Sequence, residues 1–465
     1  KRIGLGTTAA SAAGALAMDG SGNLYAPSID DSLRRFGAAA VACLGGAGEC
    51  HLYEEAPWPM FQHDVKHSGH NIVGAGHRTP LVRWSKTVTG VSAPPRTPVL
   101  GPATTLFPGG RLYYTSGRYV IARDAANGNQ VWSYDLGTAG TPGGGASPAL
   151  LVVDDNPGTD TDVVYLIVGA KDGFLYALDA NTAQPNGALV WRVDLGADIS
   201  KSSPLIGLDG TIYIVEDTTT DRLHAVHWNG TRRWTQTLGA GTGASSPVLF
   251  DTTTDRVIVG SANKLYAFHT SDPDDTGPLK EADPVSGWPL TVGAAGTVNT
   301  SPAVSGNDLW ALNSTGKLYW VDLAAGTPLV TLQVTAVGAI GDGVAPAVQN
   351  DPYTGDDIVV FTAGTRFYRT RWDRDGFVMI GPLSIWPFAQ TLGTSSPVID
   401  DNGWSYVLDS GGYLRAFYRY APWPLMVYSK KIATQGTLTG GIIVGDTGML
   451  FIPSRNNTVY AAGSP

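Results

Sequence analysis

The sequence has little cysteine, little charge and no long apolar run. Among 465 residues it has 2 cysteines, and 15% of the residues are charged, below the ~25% that is usual in soluble domains. It has no run of Lys and Arg, and its net charge of −9 argues against binding along a nucleic-acid backbone. Apolar runs stay well short of the ~20 residues of a membrane-spanning helix. We therefore expect neither a nucleic-acid partner nor a membrane span.

Long helical patterns rich in Glu, Lys and Ala are also absent, whereas turn-forming residues are abundant. The chain has 59 glycines and 30 prolines, which indicates frequent turns between short strands. We predict an all-β fold. The sequence begins at Lys1 rather than Met and has no signal-peptide core, so we expect a mature or trimmed form.

A repeated unit organises the chain after residue 80, and residues 171–191 show it most completely. A tight turn at 171–173 leads into an alternating apolar strand at 174–179, and Trp191 opens the next strand. A proline or its equivalent opens each unit. These positions are Pro98, Pro148, Pro204, Pro247, Pro302, Pro346, Pro397 and, in degenerate form, Leu438. Their spacing of roughly 50 residues is typical of a four-stranded propeller blade.

Each unit would place its Ser-Pro strand innermost and a tryptophan strand outermost. The last unit, 438–462, has only three strands, whereas Trp84 precedes the first unit without strands of its own. We therefore predict that residues 81–88 pair with the C-terminal blade and close an eight-bladed β-propeller of four-stranded antiparallel blades, because closure leaves no open sheet edge. The tryptophans of the repeat are Trp84, Trp132, Trp191, Trp234, Trp288, Trp386 and Trp423.

The predicted domains are an N-terminal extension, residues 1–57, and a propeller, residues 58–465. The extension consists of a partial repeat at 1–36 and a Gly/Ala-rich linker, in which we expect one short helix. Cys43 and Cys50 lie close together in the linker, and we predict a disulfide between them. A two-stranded hairpin is marginally stable alone, so we expect the partial repeat to pack on its own ring or on a neighbouring molecule by strand addition.

Two groups of polar residues are candidates for metal binding. His63, His67 and His70 have a spacing that suits a transition metal. The alternative is that hydrogen bonds from this segment, 58–69, lock it onto the ring. Alternating oxygen-bearing side chains suit a calcium ion, with a solvated loop as the alternative. They are Asp154, Asn156, Asp160 and Asp162.

The unit resembles the PQQ-type propeller repeat, Ala-x-Asp-x-x-Thr/Asn-Gly-x-x-x-Trp. Residues 122–132 (ARDAANGNQVW) fit this pattern throughout, and residues 177–191 fit it with an insertion. Residues 225–234 keep the Gly and the Trp but have His227 in place of the Asp. The resemblance extends over residues 81–465 and implies that the tryptophans pack between blades. The segment 58–69 resembles one that often opens the propeller in secreted PQQ-like repeat proteins.

The family resemblance implies more than one function. Its quinoprotein dehydrogenases hold PQQ with Ca²⁺ bound by Glu, Asn and Asp, and many carry adjacent cysteines; this sequence has none, and only Glu216 among its glutamates falls on a plausible inner strand. Many other members are non-catalytic scaffolds. We therefore expect a secreted or cell-surface scaffold of the non-catalytic branch, with no catalytic residues, no bound cofactor and a protein or self-assembly partner. The periplasm, a PQQ/Ca-dependent dehydrogenase and a glycan-binding module are the alternatives.

Overall fold

The structure, a computed structural model, shows an all-β protein. The residues that it describes are 17–18, 24–27, 33–36, 50–52, 56–71, 80–91, 93–137, 146–153, 163–207, 209–241, 244–250, 256–270, 284–292, 298–324, 330–335, 338–350, 356–373, 378–388, 391–392, 395–418, 426–432, 441–445 and 447–463.

Six strands precede the first blade. They are β1 (Ala17–Met18), β2 (Leu24–Pro27), β3 (Leu33–Phe36), β4 (Cys50–Leu52), β5 (His70–Asn71) and β6 (Leu81–Thr87). Blade 1 consists of β7 (Val99–Leu100), β8 (Arg111–Ser116), β9 (Tyr119–Asp124) and β10 (Gln130–Asp135), and blade 2 of β11 (Ala149–Val153), β12 (Val163–Gly169), β13 (Phe174–Asp179) and β14 (Leu189–Asp194). Blade 3 consists of β15 (Leu205–Ile206), β16 (Ile212–Glu216), β17 (Arg222–Val226) and β18 (Arg232–Thr237), and blade 4 of β19 (Val248–Phe250), β20 (Arg256–Ser261), β21 (Lys264–His269) and β22 (Leu290–Thr291).

The remaining strands complete the ring. Blade 5 consists of β23 (Ala303–Ser305), β24 (Asp308–Leu312), β25 (Lys317–Asp322) and β26 (Val330–Thr335), and blade 6 of β27 (Ala347–Asn350), β28 (Asp357–Ala363), β29 (Arg366–Asp373) and β30 (Val378–Pro387). Blade 7 consists of β31 (Val398–Asp400), β32 (Ser405–Leu408), β33 (Tyr413–Phe417) and β34 (Met426–Lys431). Blade 8 consists of β35 (Ile443–Val444), β36 (Leu450–Ser454) and β37 (Thr458–Gly463) together with β6. Eight antiparallel blades result, as predicted.

The alternating apolar pattern arises because both faces of a blade are buried. In β12, Ile167 belongs to the core that blade 2 shares with blade 3, whereas Leu166 and Val168 belong to the core shared with blade 1. Successive side chains of a strand point to opposite faces, so each strand contributes to two cores. A single unit could bury only one face, and the blades must therefore stack to be stable.

The strand that carries Trp84 lies in the eighth blade. Strand β6 pairs antiparallel with β37, and Ala461 lies opposite Trp84. The sheet thus runs β35-β36-β37-β6, so the N-terminal part of the ring supplies the outermost strand of its last blade. This pairing is the one that the strand count requires.

Three details of the N-terminal region and of blade 8 differ from the sequence-based expectation. The partial repeat forms a three-stranded antiparallel sheet, β1-β2-β3, rather than a hairpin. Strand β4, which lies in the predicted linker, adds to blade 2 with Leu52 opposite Leu151. The inner strand of blade 8 begins at Ile443, so the position equivalent to the strand-opening proline is Ile442 rather than Leu438.

The signature Gly and Trp meet across neighbouring blades. The indole of Trp84, in blade 8, donates to the Ala125 carbonyl of blade 1 at 3.0 Å. A Cβ atom on Gly128, which has φ of +73°, would lie 2.6 Å from that indole. The other described pairs are Trp132 with Gly187 and Trp191 with Gly230. The repeat therefore keeps Gly because only a residue without Cβ allows this contact at positive φ.

The other repeat tryptophans are less uniform. Trp234 is buried between blades and packs on Phe268 of blade 4, with ring centroids 6.2 Å apart. Trp288 is buried just before the short strand β22 rather than within a long outer strand. Trp386 lies in the outermost strand β30. Trp423 lies outside the described residues. The structure thus supports a packing role for the tryptophans whose side chains it describes.

Candidate functional site

The wall of the central channel is built from the residues that precede the strand-opening prolines. The Ser203 backbone N–H donates to the Ser246 hydroxyl of the next blade at 2.9 Å, and the Ser246 N–H donates to Ser301 Oγ at 2.9 Å. In the same way, the Ala345 N–H donates to Ser396 Oγ, and the Gly441 N–H donates to Thr97 Oγ1. A Ser or Thr before the proline therefore connects one blade to the next, a role that sequence patterns within a single unit did not reveal.

We expect Ser246→Ala to lower the free energy of unfolding by about 1–3 kcal/mol, because the buried Ser203 N–H loses its acceptor. Urea unfolding followed by tryptophan fluorescence measures this change. Ser85→Ala, at an exposed position of the outer strand β6, is the matched control and should change stability by less than ~0.5 kcal/mol. Equal stability of the two variants would contradict the role assigned to the Ser246 hydroxyl.

Residues 56–71, which we call the leader, run around the inside of the channel. In seven blades, the leader forms a hydrogen bond with the backbone of the residue two positions after the one that opens the inner strand. These residues are Leu100, Leu150, Leu249, Val304, Val348, Ile399 and Val444. In blade 3, the leader residue Met60 joins the same hydrophobic core as Leu205. The leader therefore ties the inner strands together and fills one end of the channel.

Tight turns allow the leader to follow the ring. Gln62, His63 and His67 have positive φ angles, as does Gly69 at +60°. A Cβ atom on Gly69 would lie 2.5 Å from Gln62 Oε1 and 2.8 Å from the Ala347 side chain. A glycine is required at that position because the backbone approaches both groups closely at a φ that other residues rarely adopt.

Asp64 holds the central turn of the leader. Its carboxylate accepts the backbone N–H groups of Lys66 and Ser68 at 3.0 and 3.1 Å and the Ser68 hydroxyl at 2.5 Å. His63 Nδ1 lies 3.5 Å from the same carboxylate. Desolvation favours the neutral acid, but the contacts with His63 and Ser68 outweigh it and lower the pKa of Asp64 to about 2. The carboxylate therefore stays ionised and fixes the turn.

His67 is buried at the centre of the leader. Its Nδ1 lies 3.2 Å from the Pro302 carbonyl, to which it donates as the neutral ring, and its ring packs edge-on against Phe61. Its Nε2 is buried and has no hydrogen-bond partner among the residues that the structure covers. Burial lowers the pKa of His67 to about 4, against the opposing effects of Asp64 and of the Pro302 carbonyl. His67 is thus a neutral hydrogen-bond donor that attaches the leader to blade 5.

The three histidines proposed for a transition metal have separate partners. His63 contacts Asp64, His67 contacts Pro302, and His70 Nε2 lies 3.1 Å from the Gln349 side-chain amide. Within the described ranges, no group of three or more His, Cys, Asp and Glu side chains is placed to hold a metal ion. The contacts support the alternative interpretation, in which this segment is locked onto the ring. The metal site itself stays a prediction.

Two other predicted sites fall outside the described residues. The calcium loop consists of Asp154, Asn156, Asp160 and Asp162, none of which is described. Cys43 is not described either, so the disulfide with Cys50 stays a prediction. Only the backbone position of Cys50, in strand β4, is described.

A cavity lies between the leader and the loops that precede the inner strands. It has a volume of about 300 Å³, and Phe61 of the leader is one of its lining residues. Its wall includes the hydroxyl-bearing residues Ser246 and Ser396. Charged residues that line it are Arg96, Lys201, Asp342 and Arg455. The cavity thus has both charged and apolar lining residues, and sequence patterns did not predict the charged ones because they come from different blades and are not part of the repeated motif.

Glu216, the glutamate singled out in the sequence, is already fully engaged. Its carboxylate lies 2.9 Å from His224 Nε2 and accepts the Ala197 N–H at 2.7 Å, while His224 Nδ1 lies 2.8 Å from the Thr235 hydroxyl. Desolvation opposes ionisation of Glu216, yet its contacts with His224 and Ala197 leave its pKa below the usual range. It stabilises blade 3 and does not line the axial cavity.

Comparison with known proteins identifies the repeat. A family described as outer membrane protein assembly factor BamB matches residues 171–374. No curated protein matches the chain. Within the part of the chain that the structure covers, no helix is long and apolar enough to cross a membrane.

Solved structures share the fold at low sequence identity. BamB from Moraxella catarrhalis is 17% identical with a TM-score of 0.52, and the match covers 83% of this chain and 98% of that one. Quinohemoprotein alcohol dehydrogenase from Comamonas testosteroni is 14% identical with a TM-score of 0.57, with coverages of 89% and 82%. The related enzyme ADHIIG from Pseudomonas putida HK5 is 14% identical with a TM-score of 0.56, with coverages of 88% and 81%. The chain therefore has a β-propeller fold like those of these proteins, and its residues 171–374 match the family described as outer membrane protein assembly factor BamB.

Proposed function

We propose that this protein is a non-catalytic, protein-binding scaffold that works outside the cytoplasm. The observation that carries the proposal is the axial channel, one end of which is filled by the chain's own leader through bonds to inner strands around the ring. The match to a family described as an outer membrane assembly factor supports both a protein partner and a location at the cell envelope. The periplasm, the extracellular space and the cell surface are all compatible with this proposal.

The residues of the axial cavity do not fit PQQ with Ca²⁺. Binding pockets for flat organic ligands are mostly apolar and aromatic, with volumes of roughly 300–1,000 Å³. This cavity is at the lower end of that range, its aromatic lining residue is Phe61, and its acidic lining residue, Asp342, accepts a hydrogen bond from Asn299 at 3.0 Å. Calcium prefers several carboxylate and carbonyl oxygens at one place, which the lining residues do not supply.

Reconstitution with PQQ tests the non-catalytic assignment. We expect the purified protein, incubated with PQQ and CaCl₂ and then gel-filtered, to retain no quinone absorbance and to reduce no dye with alcohols or sugars. A quinoprotein dehydrogenase treated in parallel is the positive control. Retention of about one PQQ per chain together with dye reduction would overturn the scaffold proposal in favour of an oxidoreductase.

We further propose that the N-terminal sheet, β1 to β3, is an assembly element. Within the described residues no further strand pairs with β1 or β3, and open sheet edges can pair with strands of another molecule. Deletion of residues 1–36 removes this sheet but keeps β4, which belongs to blade 2. We expect light scattering to show a smaller oligomer for the deletion variant, with the same β-sheet circular dichroism. An unchanged oligomeric state would contradict the assembly role.

A glycan-binding role has less support. In the described part of the chain, the large hydrophobic side chains exposed at the surface are all aliphatic, and they are Leu81, Val82, Leu106, Leu189 and Val190. Sugar rings generally need an exposed aromatic face to stack upon. A glycan-binding module therefore remains an untested alternative.

A further inference from the structure

The lining of the axial cavity includes serine hydroxyl groups that can donate hydrogen bonds. A serine hydroxyl has one proton and two lone pairs. Ser246 and Ser396 each use a lone pair to accept a backbone N–H from the neighbouring blade, at 2.9 and 3.0 Å. Their hydroxyl protons therefore stay available for an acceptor inside the cavity.

Two arginines that line the cavity form no ion pair within the described residues. The guanidinium groups of Arg96 and Arg455 line the cavity, and neither forms a hydrogen bond or an ion pair with the part of the chain that the structure describes. Desolvation lowers the pKa of Arg96 more than the charge of Asp198 raises it. A cation in this setting would gain from an added anion, because guanidinium groups bind carboxylates through paired N–H donors.

The acidic groups near the rim are largely engaged with other partners. Asp198 accepts the Ser200 N–H and hydroxyl at 2.8 and 2.6 Å. Asp217 pairs with Lys201. Asp342 accepts the Asn299 amide. The charged residues that line the cavity are three bases, Arg96, Lys201 and Arg455, and one acid, Asp342, so the lining carries a positive formal charge, although the whole chain carries a net charge of −9.

We propose that the axial cavity binds a short acidic segment of a partner protein, with the carboxylates of the segment on Arg96 and Arg455. This inference rests on the proposed scaffold function and names the chemistry of its partner. The cavity of about 300 Å³ has room for one or two side chains. A long polyanion is disfavoured because the net negative charge of the protein repels it outside the cavity. A small oxyanion such as phosphate shares the same chemistry, and the test separates the two sources.

Fluorescence anisotropy tests this site. The probe is a short fluorescein-labelled peptide of alternating Asp and Gly residues, compared with the same peptide in which Asn replaces Asp. At low salt, where charge pairs are least screened, we expect the Asp peptide to bind at least about tenfold more tightly. The double variant Arg96→Gln/Arg455→Gln should reduce its affinity to that of the Asn peptide. The control Arg118→Gln, at an exposed arginine paired with Asp135 outside the cavity, should change it less than about twofold.

Each alternative result overturns the proposal. Equal affinity for the two peptides, or equal loss in the cavity and control variants, would show that the cavity does not recognise carboxylates. Displacement of the Asp peptide by inorganic phosphate at the same concentration would identify a simple oxyanion site instead of a peptide site. Circular dichroism of the double variant shows whether the fold is retained. PQQ retention would overturn the scaffold proposal while leaving the peptide result unchanged, so the two failures can be told apart.

Discussion

Gly128→Ala should lower the free energy of unfolding by about 3–4 kcal/mol. The new Cβ atom would lie 2.6 and 2.7 Å from atoms of the Trp84 indole and 2.9 Å from the Lys86 side chain. The indole cannot retreat easily, because it is buried and donates a hydrogen bond to Ala125. The contact joins blades 8 and 1, so the variant should weaken the closure of the ring.

Gly90→Ala separates the steric effect from the backbone effect. Gly90 has the same φ of +73°, but a Cβ atom there would meet nothing within 4 Å. We expect it to lower stability by only about 1 kcal/mol, the conformational cost of an L residue at positive φ. Equilibrium urea unfolding of both variants gives the comparison. Similar losses for the two variants would show that the contact between Gly128 and Trp84 contributes little to stability.

Acidification should destabilise the protein through His67. Its pKa is about 4 in the folded state and 6.5 when unperturbed. The unfolded state therefore binds a proton first as the pH falls, and the stabilising contribution is complete above pH 6.5 and is lost as the pH approaches 4. Between pH 7.5 and pH 4.5 we expect His67 to account for a loss of about 2–3 kcal/mol in the free energy of unfolding.

His67→Asn is the variant that tests this assignment. The asparagine amide can donate to the Pro302 carbonyl, tolerates the positive φ of this position and does not titrate. Urea unfolding at the two pH values should show a smaller difference for the variant than for the wild type. His269→Asn, at a partly exposed position of β21, is the control and should keep the wild-type difference. A variant that loses as much stability as the wild type would contradict the role of His67.

The architecture could be predicted from the sequence because a propeller repeats its local chemistry. Each unit carries a turn, an alternating strand and a tryptophan strand, and the alternation records that both faces of a blade are buried, as for Leu166 and Ile167. The count of Pro and Trp strands indicated eight blades and placed the Trp84 strand at the end of the ring. The opening of the last inner strand was misplaced because that unit has no Ser-Pro pair to mark it.

The channel could not be predicted in the same way, because its contacts join residues that are far apart in sequence. Most hydrogen bonds between the leader and the inner strands are donated by strand N–H groups to leader carbonyls. Nearly every residue has both groups, so no side-chain pattern indicates these bonds. The rim arginines Arg96 and Arg455 come from loops of different blades, at positions outside the repeat pattern.

The sequence by itself determined the repeat unit, the number of blades and the residues that a blade must bury, since these follow from local periodicity. Only the tertiary structure decided which contacts join neighbouring blades and which side chains line the channel. Gly128 meets Trp84, Ser246 accepts from Ser203 and His67 reaches Pro302 only after the blades have taken their places around the axis. Such contacts depend on distance in space, and closing the ring brings these distant residues together.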